Sequence, residues 1–297
     1  MRSVSIAVTA AMLVGCSHAG EATVQFDGTV ALSYVEAQLN FGNRIPGTAA
    51  HLRTGDWILA HLRSRADSVE VQAFAHVTHD GDTLHLRNFI GRFRPDATER
   101  ILFLAHWDTR PVADKESNAQ LRRLPTPGAN DGASGVAVLL GMADEMHTTP
   151  PSVGVDLLFV DGEDYGSFAP RRDVFIGSQY FAEHLPEGYS PLYAVLLDMV
   201  GDADLQLPKE GNSVSGAPEV VERVWRTAAD LGLGNIFRQE TGAWVTDDHV
   251  ELQRVGIRAI DIIDFTYPYH HTTQDTLDKV SAQSLGLVGT VVMALVR

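Results

Sequence analysis

Five short stretches of this chain carry side chains that can hold a metal ion and move protons. His106-Trp107-Asp108 follows an apolar run, and Asp131 sits in Gly128-Ala129-Asn130-Asp131-Gly132. Glu163-Asp164 follows Leu157-Leu158-Phe159-Val160-Asp161-Gly162. Asp198 ends Val195-Leu196-Leu197, and His271 stands in His270-His271-Thr272. Each group lies just past a segment that reads as a buried strand. In an open α/β sheet the carboxyl ends of the strands share one edge, and ligands bind there. Carboxylates and imidazoles delivered to that edge can converge on a metal. Zinc takes histidine nitrogen and carboxylate oxygen, and a catalytic site keeps one position open. Zinc is therefore the expected cofactor.

Each residue also has an ordinary reading. A histidine at a strand end is usually just hydrogen-bonded. Asp131 precedes a helix, where a plain N-cap is common. Asp108 could orient His106 from behind. Two adjacent acids at the end of a very apolar strand are harder to dismiss, because a dry core does not tolerate them. One would bind metal while the other stays free as general acid/base. Asp198, alone at the end of a buried strand, is costly without a partner. The recurrence of such groups at successive strand ends argues against coincidence.

The elements that must position them alternate in type. Val30 to Leu39 and Leu52 to Leu62 carry apolar residues at helical spacing, separated by Arg44-Ile45-Pro46-Gly47-Thr48. Val69 to Val77 and Leu84 to Phe93 read as strands joined by a turn at Asp80-Gly81-Asp82. Further strands are expected at 101–105, 156–160, 193–197 and 257–263. Helices are expected at 136–146, 217–231 and 281–296. This alternation predicts an α/β fold, a mostly parallel twisted central sheet with helices on both faces. Three loops are long enough to shape a pocket: 110–127, 165–173 and 266–270.

Length and composition fit one large domain, since 297 residues, 44% of them hydrophobic, suffice for it and the motifs from 106 to 271 have to meet. The net charge of −15 argues against nucleic acid as a partner. No run of 18 apolar residues occurs in the body, so no membrane span is expected. The first residues differ. Arg2, the apolar stretch Val4 to Val14, and Leu13-Val14-Gly15-Cys16 read as a lipoprotein signal peptide over residues 1–16, with Cys16 lipidated. Residues 17–29 read as a tether and 30–297 as a single catalytic domain. Ser17 after the cysteine resembles the pattern of outer-membrane lipoproteins. The expectation is an exported protein that meets the membrane only through this anchor, on the periplasmic side of the outer membrane or at the cell surface. Cys16 is the sole cysteine, so no intramolecular disulfide forms.

The ordered series His-x-Asp, Asn-Asp-Gly-Ala-Ser-Gly, Asp-Gly-Glu-Asp, Leu-Leu-Asp-Met-Val-Gly and His-Thr-Thr-x-Asp-Thr resembles the zinc aminopeptidases of metallopeptidase family twenty-eight. The likeness runs from about residue 30 to the C-terminus, and implies the zinc-dependent exopeptidase (phosphorylase/hydrolase-like) fold. Within that family the chain is most similar to animal-type glutaminyl cyclases and their bacterial relatives. Arg44-Ile45-Pro46-Gly47, Phe175-Ile176-Gly177-Ser178, Leu196 to Gly201 and Thr246-Asp247-Asp248-His249 carry that narrower likeness. The resemblance implies Asp131, Asp164 and His271 as zinc ligands, Glu163 as general acid/base, and Asp198 and Asp247 as acids of a proton relay. In the two-zinc aminopeptidases His106 and Asp198 would hold a second zinc, with Asp131 bridging. One zinc is expected and two are possible. The cyclases carry Trp immediately before the ligand histidine. Here that place holds His270, which could compete with His271 as ligand, and Tyr267 and Phe168 are the candidates for the aromatic pocket wall.

Three functions follow. A glutaminyl-peptide cyclotransferase would convert N-terminal Gln to pyroglutamate with release of ammonia. A zinc aminopeptidase would hydrolyse N-terminal residues. A non-catalytic lipoprotein would keep the fold as a binding module, but has no need of Glu163. The substrate in the first two is a peptide or protein N-terminus. The sequence does not specify the oligomeric state.

Overall fold

The computed structural model describes residues 26–297. The segment expected to be a signal peptide, Cys16 and most of the expected tether lie outside the described residues. The tether ends earlier than expected: Phe26 is buried, and its backbone N–H meets Thr290 Oγ1. Asp27 caps helix α1 (Gly28–Phe41), accepting from the N–H groups of Thr29 and Val30. An Asp cap satisfies amides that the first helical turn leaves unpaired.

After α1 come α2 (Ala49–Arg65), the hairpin β1 (Ser68–Val77) and β2 (Thr83–Phe93), then β3 (Arg100–His106), α3 (Ala133–Thr148) and β4 (Gly154–Val160). A two-residue ribbon, β5 (Ser167–Phe168) and β6 (Arg171–Arg172), interrupts the loop before α4 (Ile176–Glu183) and β7 (Tyr193–Asp198). The rest is β8 (Leu207–Lys209), α5 (Gly211–Gly216), α6 (Pro218–Asp230), β9 (Phe237–Thr241), α7 (Asp248–Arg254), β10 (Ala259–Ile263) and α8 (Ala282–Ala294). Periodicity did not announce α4, α5, α7, β8 or β9, which are too short for a stable pattern.

The six-stranded sheet has the order β1-β2-β4-β3-β7-β10. The pairs β4/β3, β3/β7 and β7/β10 are parallel, while β1/β2 and β2/β4 are antiparallel. Side chains along a strand alternate between faces, and the core follows that rule. Ile101, Phe103 and Ala105 of β3 join the larger apolar cluster with α1, α3 and α8. Leu102 and Leu104 join the smaller cluster with Phe181 of α4 and Leu252 of α7. Helices therefore cover both faces. Parallel strands buried on both faces must read as continuous apolar runs, which is what made β3, β4 and β7 visible in the sequence. No helix among the described residues is long and apolar enough to cross a membrane.

Candidate active site

The carboxyl ends of β3, β4, β7 and β10 deliver the chemical groups to one edge of the sheet. His106 is the last residue of β3, Asp198 the last of β7, and Glu163-Asp164 follow β4. Asp131 precedes α3, but the helix is capped by Gly132 without any side-chain bond, so Asp131 is not an N-cap. Gly132 is required there by contact: a Cβ would lie 2.5–2.7 Å from the backbone oxygen and ring of His106. Asp247 caps α7, accepting from the Asp248 N–H at 2.6 Å. His271 follows β10 in the loop that leads to α8.

Two clusters result, with Asp131 in both. His106 Nε2 lies 3.1 Å from Asp131 Oδ1 and 3.4 Å from Asp198 Oδ1. His271 Nε2 lies 3.6 Å from Asp131 Oδ2 and 3.3 Å from Asp164 Oδ1. His270 Nε2 stands 3.7 Å from Asp131 Oδ2. Both ring nitrogens of His106 and one oxygen of Asp198 are buried with no hydrogen-bond partner among the described residues. Buried polar atoms of this kind normally find one. Nitrogen and carboxylate oxygen at these spacings suit zinc.

Buried carboxylates hold the ligand loops in place. Asp108 accepts the backbone N–H groups of Glu163 and Asp164 at 3.0 and 3.1 Å, and stands 3.6 Å from His106 Nδ1. It therefore does more than orient that histidine. Asp275 accepts the N–H groups of Asn130 and Asp131 at 2.8 and 3.1 Å. Asn130 Oδ1 in turn accepts the Gly201 N–H just past Asp198. Arg44, fully buried, donates to the carbonyls of Trp107, Pro127 and Gly128. Burial lowers its pKa to about 10, which leaves it a cation among acids.

The electrostatics separate the acids. Burial pushes Glu163 well above the usual carboxylate range, and Asp164 and Asp247 add to this. Burial, with Asp198 next, raises Asp247 to about 7, and the two side chains are close enough to share a hydrogen bond. His271 is raised to about 9: burial opposes this, but Asp164 and Asp114 outweigh it. A protonatable Glu163 beside the clustered histidines and carboxylates suits acid–base work, and a pair of facing acids can share one proton.

A cavity of about 580 Å³ opens over these groups, lined by Asp131, Glu163, Asp198, Asp247 and His271 among others. Phe168 lines it, its ring stacked on His271 with centroids 5.7 Å apart. His270 lines it too. Tyr267 does not: it is buried, and its hydroxyl donates to Asp275 at 2.7 Å. The expectation of a Tyr267 wall is corrected by that hydrogen bond, which a phenol must find when buried. Trp244 and Phe265 take the wall instead, 67% and 40% exposed. Sequence reasoning also missed Arg110 and Asp114. Arg110 donates to Asp164 Oδ1 at 2.8 Å and to Asp114, while Asp114 Oδ1 lies 3.2 Å from His271 Nδ1. The one signal available was that both lie at the start of the long 110–127 loop.

An open α/β sheet whose strand ends gather three carboxylates, two histidines and a free acid over a cavity defines a metal-dependent enzyme. The profile of peptidase family M28 matches residues 88–296, and the chain belongs to that family. Among solved structures, the glutaminyl cyclase of Porphyromonas gingivalis is 40% identical with a TM-score of 0.88, covering 91% of this chain and 97% of its own. A Zn-dependent exopeptidase from Parabacteroides distasonis is 36% identical with a TM-score of 0.88, covering 92% of this chain and 99% of its own. Aminopeptidase YwaD of Bacillus subtilis is 26% identical over 80% of this chain. The chain spans only 48% of the length of that relative. The enzyme class and the metal, zinc, follow from these relationships.

Proposed function

We propose that the protein is a glutaminyl-peptide cyclotransferase, acting on the N-terminal Gln of peptides or proteins with one zinc ion. Asp131, Asp164 and His271 would hold that ion. Bound there, zinc supplies Lewis acidity toward the oxygen of the substrate's γ-amide. The chain's own groups handle the protons. Glu163, which lines the cavity with a raised pKa, accepts a proton from the α-amine as its nitrogen bonds to the side-chain amide carbon, Cδ, whose bond to the amide nitrogen then breaks. The same carboxyl then protonates the departing nitrogen, which leaves as ammonia. No water enters the balance. Asp198 and Asp247 share a proton beside Glu163 and keep the charge of this group low as it cycles.

The observation that carries this reading is the Asp247–Asp198 pair, with Asp247 fixed as the cap of α7. Similarity to a glutaminyl cyclase across 97% of its length supports it. The test is ammonia release from Gln-peptides with a pyroglutamyl product. Asp247→Ser should impair that reaction and leave zinc in place. Release of free Leu or Ala from peptides, with no ammonia from Gln-peptides, would overturn it.

A zinc aminopeptidase is the second reading. The unpartnered His106 nitrogens beside Asp131 and Asp198 favour it, because they offer a seat for a second ion. Metal content separates the two: one zinc per chain supports the cyclase, two the peptidase. We further infer an exported lipoprotein, anchored through Cys16. The support is the N-terminal sequence, and a Cys16→Ala variant that still labels with fatty acid would remove it.

A further inference from the structure

The cavity is bordered by basic residues, although the chain carries 38 acidic and only 23 basic ones. Arg110, Lys115, Arg171 and Arg254 all line it. Three of them have carboxylate partners. Arg110 lies between Asp114 and Asp164, while Arg171 and Arg254 both bind Glu251. Lys115 is different. Among the described residues, the sole hydrogen-bond partner of its ammonium is His270 Nδ1, at 2.7 Å. Its Nζ also lies 5.3 Å from the centroid of the Phe265 ring.

The chemistry of that contact fixes His270. An ammonium group has only hydrogens to give, so His270 Nδ1 must accept. The neutral ring then carries its hydrogen on Nε2, the atom facing Asp131. His270 is thereby the prop of Lys115. The ammonium keeps donors for a group in the cavity; Asp131, Asp114 and Asp164 act on it from beyond ion-pair distance, and none of them is bonded to it. An exposed cation lining the cavity favours an incoming anion.

We propose that Lys115, positioned by His270, selects substrates with a carboxylate just beyond the N-terminal residue. That carboxylate is an Asp or Glu side chain in the second position or the C-terminal carboxylate of a dipeptide. The inference rests on reading the cavity as a site for peptide N-termini. Phe265, beside the ammonium, offers apolar surface to the methylenes of such a residue.

The experiment compares kcat/KM for Gln-Glu-Ala-amide, Gln-Gln-Ala-amide, Gln-Lys-Ala-amide and the free dipeptide Gln-Ala, with a matched series carrying N-terminal Leu. Expected is a preference of about threefold for the acidic over the neutral peptide, the scale of a partly exposed ion pair, seen mainly in KM. Lys115→Gln should abolish the preference and Lys115→Glu should invert it. His270→Phe, which removes the acceptor, should shrink it. Preference for Gln-Glu-Ala-amide alone assigns the side chain as the recognised group; preference for Gln-Ala alone assigns the C-terminus. Equal kcat/KM for all four Gln peptides, or a preference that survives Lys115→Gln, overturns the proposal. Turnover of the Leu series alone would sink the cyclase reading while still testing Lys115. Turnover of neither series would remove both.

Discussion

Asp114 Oδ1 lies 3.2 Å from Nδ1 of His271, leaving the other ring nitrogen to face Asp131 and Asp164. A carboxylate behind a metal-binding histidine fixes its tautomer and raises its basicity. Asp114→Asn should weaken zinc binding about 10–100-fold, measured by competition with a chromophoric chelator. Unchanged affinity would remove Asp114 from the metal site.

Asp275 and Tyr267 separate loop support from substrate contact. Asp275→Ala strands two buried amides and a phenol, each costing roughly 1–3 kcal/mol when unpaired. It should lower thermal stability and zinc content together. Tyr267→Phe removes one partner, for a loss of about 1 kcal/mol. Because Tyr267 lies off the cavity, its KM should stay at the wild-type value. A raised KM would return Tyr267 to the pocket wall.

Glu163→Gln should keep its zinc and lose about 10²–10⁴-fold in kcat, the usual contribution of a general acid/base. Asp164→Ala should lose zinc as well as rate. If the Gln variant turns over normally, protons move by another route.

Asp261 gives a prediction about pH. It is fully buried on β10, and neither oxygen has a hydrogen-bond partner among the described residues. Burial, then the charges of Asp247 and Asp198, pushes its pKa well above the usual range. A folded-state pKa above the unfolded value means that the native protein holds the extra proton. Stability from this group is full below the unfolded pKa and falls as pH rises from there toward the folded one, by at most about 1.4 kcal/mol per pH unit. Asp261→Asn should therefore melt progressively higher than wild type between about pH 4 and neutrality. Parallel melting curves over that range would show that Asp261 stays ionised in the fold.

The parallel half of the sheet was legible because β3, β4 and β7 are buried on both faces and read as unbroken apolar runs. The acids at their ends stood out against that background. Asp108 and Asp275 were visible as letters in motifs, but their grip on pairs of backbone amides depends on tertiary contacts 55 and 145 residues apart, which no local pattern encodes. Phe26 was assigned to the tether because one aromatic residue has no periodicity. Tyr267 was misplaced because spacing near His271 says nothing about which way a ring points. Lys115 and Trp244 went unnoticed, since a lone Lys or Trp in a loop usually means no more than surface.

Asp131 and His271 are 140 residues apart in the chain, yet they meet beside one centre. An ion held between them would act as a cross-link in a chain whose one cysteine permits no internal disulfide. In the unfolded state its ligands are scattered over a long loop and grip it poorly, so binding free energy becomes folding free energy. Metal occupancy should then govern lifetime as much as turnover: stripped of the ion, the protein would be exposed to proteases before its chemistry is ever called on.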